Sequence, residues 1–334
     1  PGGPDKEAYW GNIVRGTNLI RDLPEARKKA IQYYIENVFN KQYPDRAITD
    51  FREDKINYQK QGYFEQIHEF DASVFGISPR EAAVIDPIQR IFLEEVYHAM
   101  EDAGYGGEKI LGSNTGVFIG RNHTKSLSFD IMVEDEPLGV TGTWTGILSS
   151  RISYLFDLKG PSIVTDTACS AGLVSVHQAC MAIRSGECEM ALAGGVSGVQ
   201  YNPVIGADTS LATYESADGI VKTFDDRANG TVWSEGAGVV MLKSLEQAIK
   251  DGDRVYAVIK GSAANNDGRS NGYTAPNALA QEEMLVKAWK DAEINPEQVS
   301  YIEAHGTGTA LGDPIEIKAL SNAFKRFTNK KQFC

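Results

Sequence analysis

The chain has 334 residues, 42% of them apolar and 23% charged, a soluble globular profile that excludes disordered, fibrous and collagen-like readings. Its formal net charge of −12 leaves no broad basic surface of the kind a nucleic-acid binder needs, so short clusters such as Arg27-Lys28-Lys29 and Lys330-Lys331 read as solvated faces. Four cysteines without a CxxC pair exclude a disulfide scaffold and a structural zinc site, and no stretch approaches the ~18 apolar residues of a membrane span.

In chain order, the PGGP start carries no signal-peptide pattern, and reduced thiols in a cytoplasm are expected. Residues 5–60 are charged, with helical spacing around 26–39. Asp86 then predicts a helix cap and Pro87 its first turn. Ile88, Ile91, Phe92, Val96 and Ala99 repeat at helical spacing, and Gly104 ends the run. TGVFIG at 115–120 reads as a strand, 163–167 as a second and 190–195 as a third. Between the last two, Leu173, Val176, Cys180 and Ile183 form the apolar stripe of a helix. Strands are expected at 238–242, 255–260 and 299–304, and helices near 245–250 and at 280–292. Asp313 opens a last helix with Ile317, Leu320, Phe324 and Phe327 on its apolar face. Strands alternating with helices predict α/β layers in one compact domain.

The sharpest chemical feature is DTACSAG at 166–172, where a strand runs through small residues into a helix. Cys169 therefore stands at a helix N-terminus, where the backbone dipole favours an anion and so a nucleophilic thiolate. On local context it reads equally as an inert thiol, as Cys180 and Cys188 do. His177, eight residues along the same helix, lies ~12 Å away along the axis and cannot serve it. His98 reads as structural, and His68 and His123 fall in loop-like sequence without an assigned role. His305 differs, because it ends an expected strand and precedes Gly306-Thr307-Gly308-Thr309. Sites collect at strand carboxyl ends, glycines admit a long ligand, and threonine hydroxyls bond its amides. A satisfied core histidine remains the equal alternative.

Three motifs fail. Gly306, Gly308 and Gly312 break GxGxxG spacing, no GxxxxGK[ST] occurs, and the calcium-like loop at 225–230 has Arg227 at a ligand position. Asp313 and Glu316, spaced D-x-x-E at a helix start, read as a capping box rather than an acid–base pair. No metal site is expected.

DTACS at 166–170 followed by EAHGTGT at 303–309 resembles the β-ketoacyl synthase domains of modular type I polyketide synthases. Further matches are FGISPREA at 75–82, DPIQR at 86–90, RISY at 151–154, KGPS at 159–162, EGAG at 235–238 and GDPIE at 312–316. The resemblance implies a thiolase-like αβαβα fold, with a first half-fold over about 1–200 and a second over about 201–334, and a homodimer. It implies that Cys169 takes an acyl chain from the phosphopantetheine arm of an acyl carrier protein, with no cofactor bound directly. A malonyl-type unit on a carrier then loses carbon dioxide and attacks the thioester. By matching position, His305 supports decarboxylation, Thr307 and Thr309 hold the pantetheine arm, and the Cys169 N–H serves the oxyanion. Other synthase domains are implied partners. Residues 21–54 are similar to synthases of assembly lines lacking their own acyltransferase, which implies a separate one. For carrier docking, Lys325, Arg326, Lys330 and Lys331 are candidates, although a solvated helix face accounts for them better.

Two departures qualify the match. The family's second catalytic histidine, in a Lys-x-Asn-x-Gly-His segment, has no counterpart among the five histidines, and the first strand is missing before Pro1. The chain is therefore expected to be an excerpt, short of a complete condensing site and of part of its core. TGTWTGILSS at 141–150 departs from the commoner Gly-Asn pattern, with Trp144 expected as core. The alternative activity is a non-elongating synthase that only passes or screens acyl chains. The intact DTACS and EAHGTGT segments speak against a purely structural module, and 75–82 with 86–90 speak against a thiolase or a dissociated fatty-acid enzyme.

Overall fold

A computed structural model describes all residues except 1, 4, 43, 51–55, 59, 122–132, 134–135, 199–203, 206–214, 217, 273 and 332–334. The chain falls into two compact units, Pro1–Asp208 with Ser234–Arg254, and Thr209–Trp233 with Val255–Cys334. His123 and Cys334 lie outside the described residues.

The first unit carries helices α1 (Lys6–Arg15), α2 (Glu25–Tyr34), α3 (Pro79–Val84), α4 (Pro87–Asp102), α5 (Gly139–Thr143), α6 (Ile147–Leu155), α7 (Ala171–Ser185) and α8 (Leu245–Asp251). Its strands are β1 (Ile56–Asn57), β2 (Thr115–Arg121), β3 (Ser162–Thr165), β4 (Met190–Ser197), β5 (Val204–Ile205) and β6 (Gly236–Lys243). β1 pairs antiparallel with β5, and the main sheet runs β3-β2-β4-β6. β2 is parallel to β3 and β4, and β6 closes the far edge antiparallel to β4.

Both faces of the central strands β2 and β4 are covered. Val117, Ile119, Leu192 and Val196 pack with Ile88, Phe92 and Val96 of α4 and Leu148 and Ile152 of α6. Phe118, Ala191 and Ala193 point the other way, onto Ala179 and Ala182 of α7. The period-2 alternation of side chains thus feeds two apolar layers, which is why β2 is buried along its whole length.

The α4 signals act as expected. Asp86 Oδ1 accepts the Ile88 N–H at 2.8 Å, and Pro87 fills the first turn. The other oxygen of Asp86 accepts from Arg121 Nη2 at 2.6 Å, joining the start of α4 to the carboxyl end of β2. The α7 stripe needs correction. Leu173 is 81% exposed and Cys180 only half-buried, while Ala171, Ser175, Ala179 and Ala182 face the sheet. A helix pressed this close to strands selects small residues for its inner face; of the expected stripe, Val176 and Ile183 still pack at the margin of this layer, while Leu173 is turned out.

Two further expectations fail on burial. Arg27, read as part of a solvated cluster, is 1% exposed. Its Nη1 donates to Glu235 Oε2 at 2.7 Å, and the Phe64 N–H donates to the same oxygen at 2.7 Å. One buried carboxylate therefore ties α2 to the entry of β6, where a charge survives only because it is paired. Trp144, expected as core, is 66% exposed. Its carbonyl is held by Gln89 Nε2 at 3.3 Å, and the neighbouring Gly142 lies against the Val84–Ile85 backbone with no room for a Cβ. Gly142 is buried and the indole two residues on is turned out.

In the second unit, α9 (Ala278–Asp291) starts at the Asn277 cap and packs on α10 (Gly312–Lys325) through Val286, Trp289, Ala323 and Phe324. The Trp289 and Phe324 ring centroids are 4.7 Å apart. Ile317, expected on the apolar face of α10, is exposed instead; Phe327, past the end of α10, is partly exposed but meets the Trp289 ring edge-on at 5.9 Å, and the buried inner positions are Ala319 and Ala323. The runs 255–260 and 299–304 form no strand. A strand exists only within a ladder, and among the described residues neither run has a strand partner; Val255, Val258, Ile259 and Tyr301 are exposed.

Candidate active site

In the first unit the site grows from the carboxyl end of β3. Asp166 and Thr167 lead from the strand into a 3-10 turn, Ala168–Ser170, and then directly into α7. Ala168 has φ +52°, a left-handed backbone that an L side chain adopts only when its surroundings hold it there. The holding bonds are local. The Ala168 N–H donates to Asp166 Oδ1 at 3.0 Å, and the Ser170 hydroxyl donates back to the Thr167 carbonyl at 2.8 Å. Thr165 Oγ1 donates to Gln178 Oε1 at 2.8 Å, fixing the strand end to the helix that follows. The result is an exposed Cys169 thiol on a rigid turn at the mouth of a 15-residue helix.

What brings that turn onto the sheet is a set of glycines. A Cβ on Gly120 would stand 2.2 Å from the Ala171 carbonyl carbon, and one on Gly195 would stand 3.0 Å from Gly172 Cα. The first turn of α7 therefore rests on the bare backbones of β2 and β4. Ser175 Oγ reaches the Gly194 carbonyl at 2.7 Å and locks the contact. Cys188 is buried at the far end, and burial pushes its thiol up, as its reading as inert requires.

His305 belongs to the second unit and is exposed, in the irregular 305–311 loop before α10. The carboxylates thought to cap α10 do something else. Glu316 Oε1 accepts the His305 N–H at 2.6 Å, and its Oε2 accepts the Gly306 N–H at 2.9 Å. Asp313, 4% exposed, accepts the Gly308 N–H at 3.0 Å on one oxygen and the Phe224 N–H at 2.7 Å on the other. The capping-box expectation fails because a loop folded back over the helix start offers these oxygens more N–H groups than the helix does. Thr223 and Phe224, which sequence reasoning missed, complete the grip. Thr223 Oγ1 donates to the Gly306 carbonyl at 2.7 Å, and Phe224 has φ +59°.

The structure brings Thr307 and Thr309 together, with their hydroxyl oxygens 3.0 Å apart. Thr309 Oγ1 also accepts the Gly312 N–H at 3.0 Å. Two hydroxyls bring two protons, and one proton is used between them, so the pair retains one donor for a ligand. Of the remaining histidines, His68 and His98 are exposed and His177 is half-buried on α7. In the calcium-like loop, Asp225 is held by Arg227 at 2.8 Å. Of the cations considered for docking, Arg326 donates to Glu282 at 2.6 Å and Lys330 to Glu297 at 2.5 Å.

Comparison with known proteins adds a second line of observation. The N-terminal domain of β-ketoacyl synthases matches residues 1–248 and the C-terminal domain matches 256–334. The chain is 40% identical over 325 residues to polyketide synthase PksM of Bacillus subtilis, covering 97% of this chain and 7% of that protein. It is 43% identical over 336 residues to probable polyketide synthase 1 of Dictyostelium discoideum, covering 98% and 10%. Among solved structures, the ketosynthase from module 6 of the bacillaene synthase of B. subtilis is 40% identical with a TM-score of 0.82, covering 100% of this chain and 54% of that one. The oxazolomycin ketosynthase domain OzmH KS7 of Streptomyces albus is 36% identical with a TM-score of 0.83, covering 99% and 57%. The chain spans about half the length of those solved ketosynthases and a tenth or less of the two curated relatives.

Proposed function

We propose, because the chain belongs to the β-ketoacyl synthase family as a ketosynthase of the modular type I polyketide kind with the thiolase-like fold, that it catalyses decarboxylative Claisen condensation on carrier-bound acyl chains. In the first stage the Cys169 thiolate attacks the thioester carbonyl of an acyl chain on the phosphopantetheine of an acyl carrier protein. The pantetheine thiol leaves and takes a proton, and the chain is held as an acyl-Cys169 thioester. In the second stage a malonyl-type unit on a carrier loses carbon dioxide. Its enolate carbon bonds to the acyl carbon, the bond to Cys169 Sγ breaks, and the β-ketoacyl product remains on the carrier.

The observation that carries this reading is the presentation of Cys169, an exposed thiol on a strained turn at a helix mouth. The Cys169 N–H serves as an oxyanion donor. His305 donates to the enolate oxygen during decarboxylation. Thr307 and Thr309 bind the pantetheine arm with the hydroxyl proton their mutual bond leaves over. The acyltransferase that loads extender units is a separate protein, and other synthase domains process the product. The setting is cytoplasmic; no helix among the described residues is long and apolar enough to cross a membrane.

A His305→Ala variant in a complete ketosynthase bearing this sequence separates the stages. The acyl-Cys169 adduct is expected to form at the wild-type rate while carbon dioxide release falls by about 10²–10⁴-fold. Release at the wild-type rate would remove His305 from its role.

The partner of the fold itself is a second copy. Among the described residues β3 is an edge strand bonded to β2 alone in the main sheet, with Ser162 and Ile163 exposed. Helices α6 and α7 both contact β3, and Tyr154 on α6, 84% exposed, and the exposed Leu173 on α7 leave apolar surface uncovered. An open edge of this kind is a template for another strand, and a two-fold pairing of β3 with its copy covers it. An Ile163→Asp variant is expected to sediment as a monomer; a dimer of unchanged stability would contradict this interface.

A further inference from the structure

We infer that Trp144 of one copy packs against Tyr154 of a second copy, once at each end of a two-fold contact, and that this aromatic pair fixes the register in which the two β3 strands meet; the inference rests on the β3 pairing proposed above. The two side chains are 66% and 84% exposed and belong to opposite ends of one helix. Trp144 lies just before the start of α6, and Tyr154 is in its last turn.

Bonds to the sheet fix which end is which. The Asp86 N–H donates to the Gly142 carbonyl at 3.0 Å and Gln89 Nε2 holds the Trp144 carbonyl, so Trp144 stands with the start of α4. Arg121 ties that start to the carboxyl end of β2. Past Tyr154 the chain turns at the other end. The Gly112 N–H donates to the Asp157 carbonyl at 2.9 Å, and the Gly160 N–H donates to the carbonyl of Thr115, the first residue of β2, at 3.1 Å. β3 runs parallel to β2. Trp144 therefore marks the carboxyl end of the open edge and Tyr154 its amino end.

Two β3 strands related by a two-fold perpendicular to the sheet pair antiparallel. Each copy's α6 then keeps its face of the joined sheet and reverses its direction, so Trp144 of either copy comes beside Tyr154 of the other. The lengths agree: α6, nine residues, spans ~13 Å and β3, four residues, spans ~13 Å. The exchange of ends thus sets the rings level at both ends of the contact. A slip by two residues would keep every side chain on its face but shift the ends by ~7 Å, separating both aromatic pairs.

Two arguments select a second copy as the occupant of this surface. An isologous contact needs a patch in which one residue meets another and is met by it in return, and a tryptophan and a tyrosine at exchanged ends satisfy that. The strand alone is also too small. β3 supplies four residues a side, whereas a stable interface takes about 20–30 and ~800 Å² per partner, with tryptophan and tyrosine as its usual anchors. Trp144 is presented ready for such a contact. Gly142 is pressed on the Val84–Ile85 backbone, and Arg151 Nη2 donates to the Thr141 carbonyl at 2.9 Å, so little of this segment remains to be ordered on association.

The test uses a complete ketosynthase bearing this sequence, in a Cys169→Ala background that removes the exposed native thiol. A Trp144→Cys copy and a Tyr154→Cys copy, differently tagged, are produced together and oxidised in air. The inference predicts a disulfide-linked dimer carrying both tags, with peptide digestion mapping the bridge from position 144 of one copy to position 154 of the other, and no such bridge in either variant alone. Without substitution to cysteine, Trp144→Ala and Tyr154→Ala each raise the dimer dissociation constant about tenfold or more by sedimentation equilibrium, and the double variant raises it by less than the product of the two. Tyr9→Ala, an exposed aromatic on α1, leaves it unchanged. A dimer that forms without the 144–154 bridge, or single effects that multiply in the double variant, overturns the contact and leaves the β3 pairing standing. Wild-type protein that sediments as a monomer overturns the β3 pairing and this contact with it.

Discussion

Replacing Cys169 by alanine is expected to lower product formation by about 10³-fold or more while leaving the thermal midpoint where it was. The thiol is exposed and buries little, so its removal opens no cavity. The local frame at Ala168 is built from Asp166, Thr167 and Ser170 and needs nothing from the sulfur. On the proposed mechanism, what disappears is the covalent resting place of the acyl chain. Condensation would then require two carrier-bound thioesters to react directly, without the entropy advantage of a held electrophile. The measurement is steady-state product formation from acyl and malonyl-type carriers. Turnover within tenfold of wild type would sink the role given to Cys169.

Replacing Gly120 by alanine is expected to destabilise the first unit by more than about 3 kcal/mol and to abolish acylation of Cys169 with it, although Gly120 touches no substrate. The added Cβ would meet the Ala171 carbonyl carbon at 2.2 Å, its oxygen at 2.3 Å and the Gly172 nitrogen at 2.4 Å. All three are backbone atoms and no side-chain rotation relieves them. Either α7 lifts off β2 or β2 bends, and both displace the turn that presents Cys169. The control is Gly236→Ala, where nothing lies within 4 Å and φ is not positive; that change is expected to be neutral or slightly stabilising. Chemical denaturation of the pair decides the matter, and equal midpoints would show that the helix does not bear on the strand as described.

These results bear on what a sequence can disclose. Local signals translated well: the cap at Asp86 and the proline after it start α4 where expected, and DTACS marks a strand–turn–helix with the thiol at its apex. Signals that depend on what lies opposite a residue did not. Leu173 belongs to a plausible apolar stripe, yet it is exposed, while small Ala179 and Ala182 face the sheet and pack with Phe118, Ala191 and Ala193. Arg27 looks like one of three surface cations until Glu235, far along the chain, arrives to pair with it. The runs 255–260 and 299–304 have strand-like composition, but a ladder is a property of two segments and not of one.

The candidate site shows the same division. Cys169 and His305 stand out in the sequence as candidates because chemistry confines the residue types that could do such work. Thr307 and Thr309 stand out by their glycine neighbours, and the structure adds their mutual bond. The roles of Asp313 and Glu316 were hidden because D-x-x-E at a helix start satisfies a simpler local rule. Their actual partners, the N–H groups of His305, Gly306, Gly308 and Phe224, become visible only when the loop is seen folded back. Trp144 illustrates the converse: an indole suggests burial, while the buried residue of that segment is Gly142 and the indole is exposed.

The most direct test of the account is the mass of the protein after incubation with an acyl carrier protein loaded with a short acyl chain. One acyl equivalent should appear on the wild-type protein, map by peptide digestion to Cys169, vanish on adding a malonyl-type carrier, and be absent from Cys169→Ala. An adduct that persists undiminished in Cys169→Ala, or that maps to Cys180 or Cys188, would contradict the account at its root.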